Sequence, residues 1–193
     1  MSPYPSQIDQ TTILDKAREL LEAEGIDQLS LAKLADTLHV KAPSLYRYFA
    51  SKTALLQAIN TATITDLISA IQASIESAPA DSRLRITEMA ITYRAHAHAH
   101  PAAYALAYSA SSPDMRVPAD RAEALVLPLQ ALMAEISGED HSLAALRGLL
   151  ALVHGFVMLE FAGQYRRGGD LSAAFEQSVS AYVAGWANLD ANG

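Results

Sequence analysis

The chain has 193 residues, 51% hydrophobic and 18% charged, with no cysteine and a net charge of −7. This length can bury a sizeable core, and the profile is that of a globular rather than a disordered chain; the missing cysteines exclude disulfides and thiolate metal sites. No uninterrupted apolar run reaches the ~18 residues of a bilayer-crossing helix, and the polar start MSPYPSQIDQTT lacks a signal-type apolar core, so a cytoplasmic protein without a membrane partner is expected.

Helical periodicity runs through nearly every segment, and none alternates as a strand does. Ile13, Ala17, Leu20 and Leu21 form an apolar stripe that Gly25 stops. Ser30 is placed to cap a short helix with Leu31, Leu34, Ala35 and Leu38 on one face. After a break at His39-Val40, Pro43 opens a second short helix through Leu45 and Phe49. Ser51 caps a long helix over about 52–76, which ends before Pro79. Further helices are predicted over about 82–100, stopped by Pro101, and over about 102–110. SSPDMRVP (111–118) reads as a surface loop, and Asp120 with Glu123 has capping-box spacing at the head of a helix to Ser137, which Pro128 should kink. Gly138 to Ser142 reads as a turn, followed by an apolar helix over about 142–165. RRGGD (166–170) breaks it, and a last helix covers about 171–189. The expected fold is all-α, with about nine helices.

Charge is unevenly placed. Residues 28–53 carry Lys33, Lys41, Arg47 and Lys52 against the single acid Asp36, a balance of +3 on a chain of net −7. The same stretch holds two short helices around a tight turn, the pattern of a helix-turn-helix whose second helix enters the major groove. Basic and aromatic residues interleave on that second helix, as phosphate and base contact requires.

These residues resemble the DNA-binding domain of the TetR family of bacterial transcriptional regulators. The match over roughly 10–57 rests on Leu34-Ala35, Leu38-x-Val40, Pro43-Ser44-Leu45-Tyr46, the pair Tyr48-Phe49, and Ser51-Lys52 before Ala54-Leu55-Leu56. His39 stands where the family usually has Gly, so it is expected to adopt a positive φ. The resemblance implies a three-helix DNA-binding domain over 1–57, with a recognition helix at about 41–49. The DNA-contact set is Ser30, Lys41, Ala42, Pro43, Ser44, Tyr46, Arg47, Tyr48 and Lys52. Ala42, Pro43, Ser44 and Tyr46 are implied to meet bases or nearby backbone, and Arg47, Tyr48 and Lys52 to meet phosphate.

The remainder, 58–193, resembles the subset of TetR-like regulators with a WHG-type C-terminal domain. The matching residues are His100-Pro101 with Tyr104, and Leu152-Val153-His154-Gly155 with Leu159-Glu160 and Gly163; Leu150 stands at the Trp position. Such bodies are implied to bind a small effector in a helical bundle and to form homodimers through the last two long helices. Ala144, Gly148, Ala151 and Gly155 follow a 4, 3, 4 spacing, as do Ala174, Ser178, Ala181 and Gly185. Small residues on one stripe let helices approach closely. They could meet within the chain or across a two-fold axis, and the latter is expected because a palindrome reader needs a partner. Candidate effector contacts are polar-tipped residues on apolar helices: Tyr93, His96, His100, Tyr104, Tyr108, His154, Glu160 and Tyr165. A buried Glu160 needs a partner.

The run YRAHAHAHPAAY (93–104) holds three of the six histidines. On a helix only His96 and His100 share a face; His98 points away and is expected to be exposed. His100 is expected to be structural, and His96 to face the effector cavity.

The expected function is a sequence-specific repressor released from a palindromic operator by an unidentified small molecule. Two other readings are a DNA-binding regulator without an effector and a metal-dependent enzyme built on His96 and His100. No His-Glu-x-x-His, Gly-x-Ser-x-Gly or Gly-rich phosphate loop is present, so neither enzymatic activity nor a resident metal or cofactor is expected.

Overall fold

The computed structural model describes residues 8–109 and 112–190. The opening MSPYPSQ and Ser111 of the expected 111–118 loop lie outside the described residues. Among the described residues the fold is all-α: α1 (Gln10–Glu24), α2 (Leu31–Thr37), α3 (Ala42–Tyr46), α4 (Lys52–Ser77), α5 (Ser82–Ala99), α6 (Pro101–Ser109), α7 (Ala119–Ser137), α8 (Glu139–Phe161) and α9 (Leu171–Asp190), with a short 3-10 turn at Pro113–Met115. The chain forms two compact units. The first draws on Met1–Ile64 and His100–Pro118, the second on Thr65–Ala99 and Ala119–Gly193.

Caps define most helix starts. Asp9, Ser30, Ser51, Asp81 and Asp170 accept backbone N–H bonds from Thr12, Lys33, Ala54, Leu84 and Ser172 respectively, meeting donors that have no partner inside the helix. In the first unit one buried cluster joins Ile13, Ala17 and Leu21 of α1, Leu31, Leu34 and Ala35 of α2, Leu45 of α3, Phe49, Leu55 and Ile59. The same cluster takes in Ala103 and Leu106 of α6. A carboxylate from α1 holds α6 in place: Glu22 Oε2 and Oε1 accept the N–H groups of Ala102 and Ala103, both at 2.9 Å. Pro101 has no N–H to offer, so Glu22 satisfies the first two donors that α6 possesses.

The turn between α2 and α3 closes as a Schellman motif. Val40 N donates to Ala35 O at 2.9 Å and His39 N to Asp36 O at 3.1 Å, with His39 at φ 55. The second unit packs α5, α7, α8 and α9 around buried Met89, Tyr93, Met133, Leu149, Val153, Phe175 and Val179.

Several boundaries differ from the sequence reading. The recognition helix is shorter than 41–49: Lys41 is its N-cap, and helical pairing ends at Tyr46. α7 begins at Ala119, so Asp120 sits inside its first turn and is not its cap. There is no turn over 138–142. Gly138, at φ 71, alone separates α7 from α8, and Glu139 and Asp140 occupy the first turn of α8, where the helix dipole favours acids. α8 stops at Phe161, so Tyr165 lies beyond it.

Membrane-crossing potential also needs correcting. α4 and α8 are both long and apolar enough to cross a bilayer by length and composition alone. Scattered polar residues interrupt each apolar run without lowering its average. Both helices contribute to helix packing, with Leu55 and Ile59 of α4 and Leu149 and Val153 of α8 buried.

Candidate functional site

In the first unit, burial of Leu45 and Phe49 orients α3. These two side chains anchor it in the core, which turns Lys41, Pro43, Tyr46 and Arg47 to solvent. Tyr46 is 54% exposed, unusual for a large ring without a partner. Ala42 and Ser44 are half-buried at the helix start. The side chains of Lys41 and Arg47 make no hydrogen bond or ion pair among the described residues, whereas Lys33 pairs with Glu24. The exposed cations beside α3 are therefore Lys41, Arg47 and Lys52.

Two of the expected phosphate contacts already have intramolecular partners. Tyr48 Oη donates to Ile8 O at 2.5 Å, tying the turn after α3 to the start of α1. Lys52 Nζ donates to Ile26 O at 2.9 Å, which leaves two of its three protons for other acceptors. Ser30 Oγ caps α2.

In the second unit a polar cluster forms on a different set of residues from the one expected. Glu160, with a side chain only 7% exposed, receives Arg94 in a fork: Nη2 to Oε1 at 2.5 Å and Nε to Oε2 at 3.0 Å. His98 Nε2 lies 2.9 Å from the same Oε2, and Arg94 Nη1 donates to Ser172 Oγ at 3.2 Å. The guanidinium also stands 5.1 Å from the Phe175 ring centroid and 5.7 Å from that of Phe156, within cation–π range. Burial pushes the Glu160 carboxyl up, but the bonds from Arg94 and His98 outweigh it and hold the group below its ordinary value. The bond to Glu160 raises Arg94 in turn.

The other expected effector contacts are dispersed. Tyr93 and Tyr104 are buried, at 3% and 0% exposure, while Tyr108 and Tyr165 are largely exposed. His96, His100 and His154 are half-buried. Burial pulls the His154 imidazole below its ordinary value. The Tyr104 and Tyr108 rings meet at a tilt with centroids 4.7 Å apart within the first unit, as do Tyr165 and Phe156 at 4.8 Å within the second. Among the described residues no group of three or more metal-ligating side chains comes together.

The small-residue stripes face outward. Ala144 and Ala151 on α8 are exposed, as are Ala174, Ser178, Ala181 and Gly185 on α9, and Gly155 is half-buried. Leu143 and Leu159 add exposed apolar surface to α8, at 41% and 45%. Gly148 is used within the chain: Tyr182 crosses α8 there, and its hydroxyl donates to Ala145 O at 2.8 Å. A Cβ at position 148 would lie 2.1 Å from that hydroxyl.

Comparison with known proteins agrees with this geometry. Residues 13–59 match the family model described as bacterial regulatory proteins, tetR family. Residues 86–182 match that of the tetracyclin repressor-like C-terminal domain. An HTH-type transcriptional regulator of Mycobacterium tuberculosis is 30% identical over 185 residues, 94% of this chain and 83% of its own. The chain belongs to the TetR family of transcriptional regulators. Among solved structures, a protein of unknown function from Rhodococcus sp. RHA1 superposes with a TM-score of 0.79 at 22% identity, covering 95% of this chain and 97% of its own. A TetR variant from Acinetobacter baumannii AYE, in complex with minocycline, superposes at 0.68 with 25% identity, covering 94% and 98%.

As a TetR-family member, the chain is a helix-turn-helix DNA-binding regulator of transcription. Its polar cluster shows what the sequence reading missed. Arg94 falls outside the sequence expectation, while His98 is exposed as expected and also reaches Glu160 from the surface. The signal for Arg94 is Glu160 itself: a carboxylate on an apolar helix demands a cationic partner, and Arg94 is the one arginine in the run 93–104.

Proposed function

We propose that the chain is a repressor that binds a palindromic operator as a homodimer and leaves it when a small molecule binds. Residues 1–57 form the DNA-binding part and 58–193 the effector-binding and dimerisation part of this reading. The observation that carries it is the outward face of α3. Leu45 and Phe49 root the helix in the core, and Lys41, Tyr46 and Arg47 have no task inside the molecule. In this reading Ala42, Pro43, Ser44 and Tyr46 approach bases, and Lys41, Arg47 and Lys52 hold phosphate. Ser30 acts through the cap that fixes α2, and Tyr48 lies at the edge of the contact surface.

Gly148, Ala151, Gly155, Ala174, Ser178, Ala181 and Gly185 make up the proposed dimer face, supported by the exposure of most of these small residues beside Leu143 and Leu159. Of the expected effector set, Tyr93, His96, His154, Glu160 and Tyr165 lie in the second unit and are the ones this reading assigns to an effector, whereas His100, Tyr104 and Tyr108 belong to the first unit. The minocycline complex of the Acinetobacter relative supports small-molecule response, and the family supports a cytoplasmic home and a regulatory, non-enzymatic role.

Site selection on random duplex DNA tests the reading: a two-fold symmetric consensus is expected. Lys52→Ala is expected to weaken binding evenly across sequences and to lower the salt slope by about one unit. A monomer in sedimentation at micromolar concentration, with operator binding intact, would refute the homodimer.

A further inference from the structure

We infer that the groove between α5 and α9 is a binding site for small organic amines carrying an apolar body. The inference rests on the effector-responsive reading above and names a site and ligand class for it. The groove has a volume of about 400 Å³. Ile91, Arg94 and His98 line it from one face of α5, and Ser172, Phe175 and Glu176 from one face of α9.

The lining groups separate by what each still has to offer. Arg94 directs three N–H groups to Glu160 and Ser172 and lies against Phe175, so its charge is already matched and it makes a poor anion receptor. Ser172 Oγ accepts from Arg94 and keeps its own proton for a ligand acceptor. Glu176 is exposed, and its carboxylate makes no hydrogen bond or ion pair among the described residues. Glu176 is the one carboxylate that lines the groove, and the guanidinium there, Arg94, is already matched by Glu160. Its unmatched charge is negative, which selects a cation. Ile91 and Ala95 provide the apolar floor for the ligand's body. An ammonium fits on Glu176, with a neighbouring acceptor atom of the ligand on the Ser172 hydroxyl.

The site has a route to the operator. Ser172 and Glu176 sit on the first turns of α9, the helix whose Ala174, Ser178, Ala181 and Gly185 stripe is the proposed dimer face. A ligand drawing on them changes how that end of α9 packs on α5, and with it the spacing of the two recognition helices.

The test is calorimetric titration of the full chain with phenethylamine, phenethyl alcohol and hydrocinnamate, a cation, a neutral molecule and an anion of similar body. The amine is expected to bind more tightly than both others, and more tightly at low salt. Glu176→Gln is expected to weaken the amine about fivefold, the size of one exposed charge contact, and Glu176→Lys to abolish its binding. Both variants should melt like the parent because Glu176 is exposed. Equal binding of the three compounds, or amine binding indifferent to Glu176→Gln, overturns the site. A separate operator titration with and without the amine reads the regulatory link: weaker operator binding supports effector action, and an unchanged affinity removes that link while the calorimetry judges the site.

Discussion

The two compact units are held by different means. The first joins all its helices through one apolar cluster, and its polar groups work at helix ends: Asp9, Ser30, Ser51 and Glu22 each satisfy backbone donors. Its unpaired cations face outward beside α3. The second carries a charged cluster, Arg94–Glu160–His98, with the glutamate buried and the histidine exposed, and leaves two stripes of small residues and several leucines uncovered on α8 and α9. A unit complete on its own can present a fixed surface to DNA. A unit with an uncovered apolar face and an internal ion pair is suited to association and adjustment. The lesson is that small residues and charges mean different things depending on whether the surrounding core is closed.

The largest effect expected from breaking this comparison is in the closed unit. Leu45→Ala removes a fully buried side chain that roots α3. It should cost about 3 kcal/mol in urea unfolding and abolish operator binding in a mobility-shift assay. A loss below ~1 kcal/mol would mean that α3 is not anchored as described.

Next comes the ion cluster. Glu160→Gln keeps the shape but leaves Arg94 without its counter-charge, and a loss of about 2 kcal/mol at neutral pH is expected. The pH dependence follows from the sign of the shift. The folded carboxyl lies below its ordinary value of 4.5, so its stabilisation is fully present above that value and is lost as pH falls through the folded pKa. Stability measured between neutral and acidic pH should therefore begin to converge for the two proteins below pH 4.5 and finish converging below the depressed pKa of the folded carboxyl, and parallel curves would contradict the pairing.

A smaller effect tests whether Gly148 serves the chain itself. Gly148→Ala should displace Tyr182, cost about 1 kcal/mol net, and alter the fluorescence of the single tryptophan, Trp186, whose ring centroid is 6.4 Å from that of Tyr182. In a Tyr182→Ala background the same change should become neutral or stabilising, by roughly the 1 kcal/mol helix advantage of alanine over glycine. The same cost in both backgrounds would separate Gly148 from Tyr182.

The smallest effect compares two helix ends of one design. α8 closes with Gln164 N on Leu159 O and Gly163 N on Glu160 O, with Gly163 at φ 60. α2 closes in the same way with His39 in the place of that glycine. A non-glycine side chain strains in this conformation, so His39→Gly should stabilise the first unit by about 0.5–1 kcal/mol in thermal melts. A destabilisation would show that the imidazole makes a compensating contact.

Much of the fold was readable residue by residue. Local signals carried it: the period of Ile13, Ala17 and Leu21, the caps at Ser30 and Ser51, the turn at His39, and the break at RRGGD. Each depends on neighbours within a few positions. Where local signals competed, the reading slipped. Gly138 looked like the start of a loop, yet a single positive-φ residue sufficed to join α7 to α8. The acidic residues after it, Glu139 and Asp140, stabilise the first turn of α8.

The sequence by itself determined the helices, the helix-turn-helix and the family, because helix periodicity, capping and motif spacing are written in nearest neighbours. Only tertiary structure decided the rest. It brought α6 into the first unit under the Glu22 carboxylate, brought Arg94 and His98 to a glutamate more than 60 residues away, and set Tyr182 over Gly148. No local pattern encodes those meetings, because which distant side chain answers a buried charge or fills a missing Cβ depends on how whole helices pack. Of the three alternate histidines, the one that helix geometry turned away from the other two is the one that packing paired with Glu160.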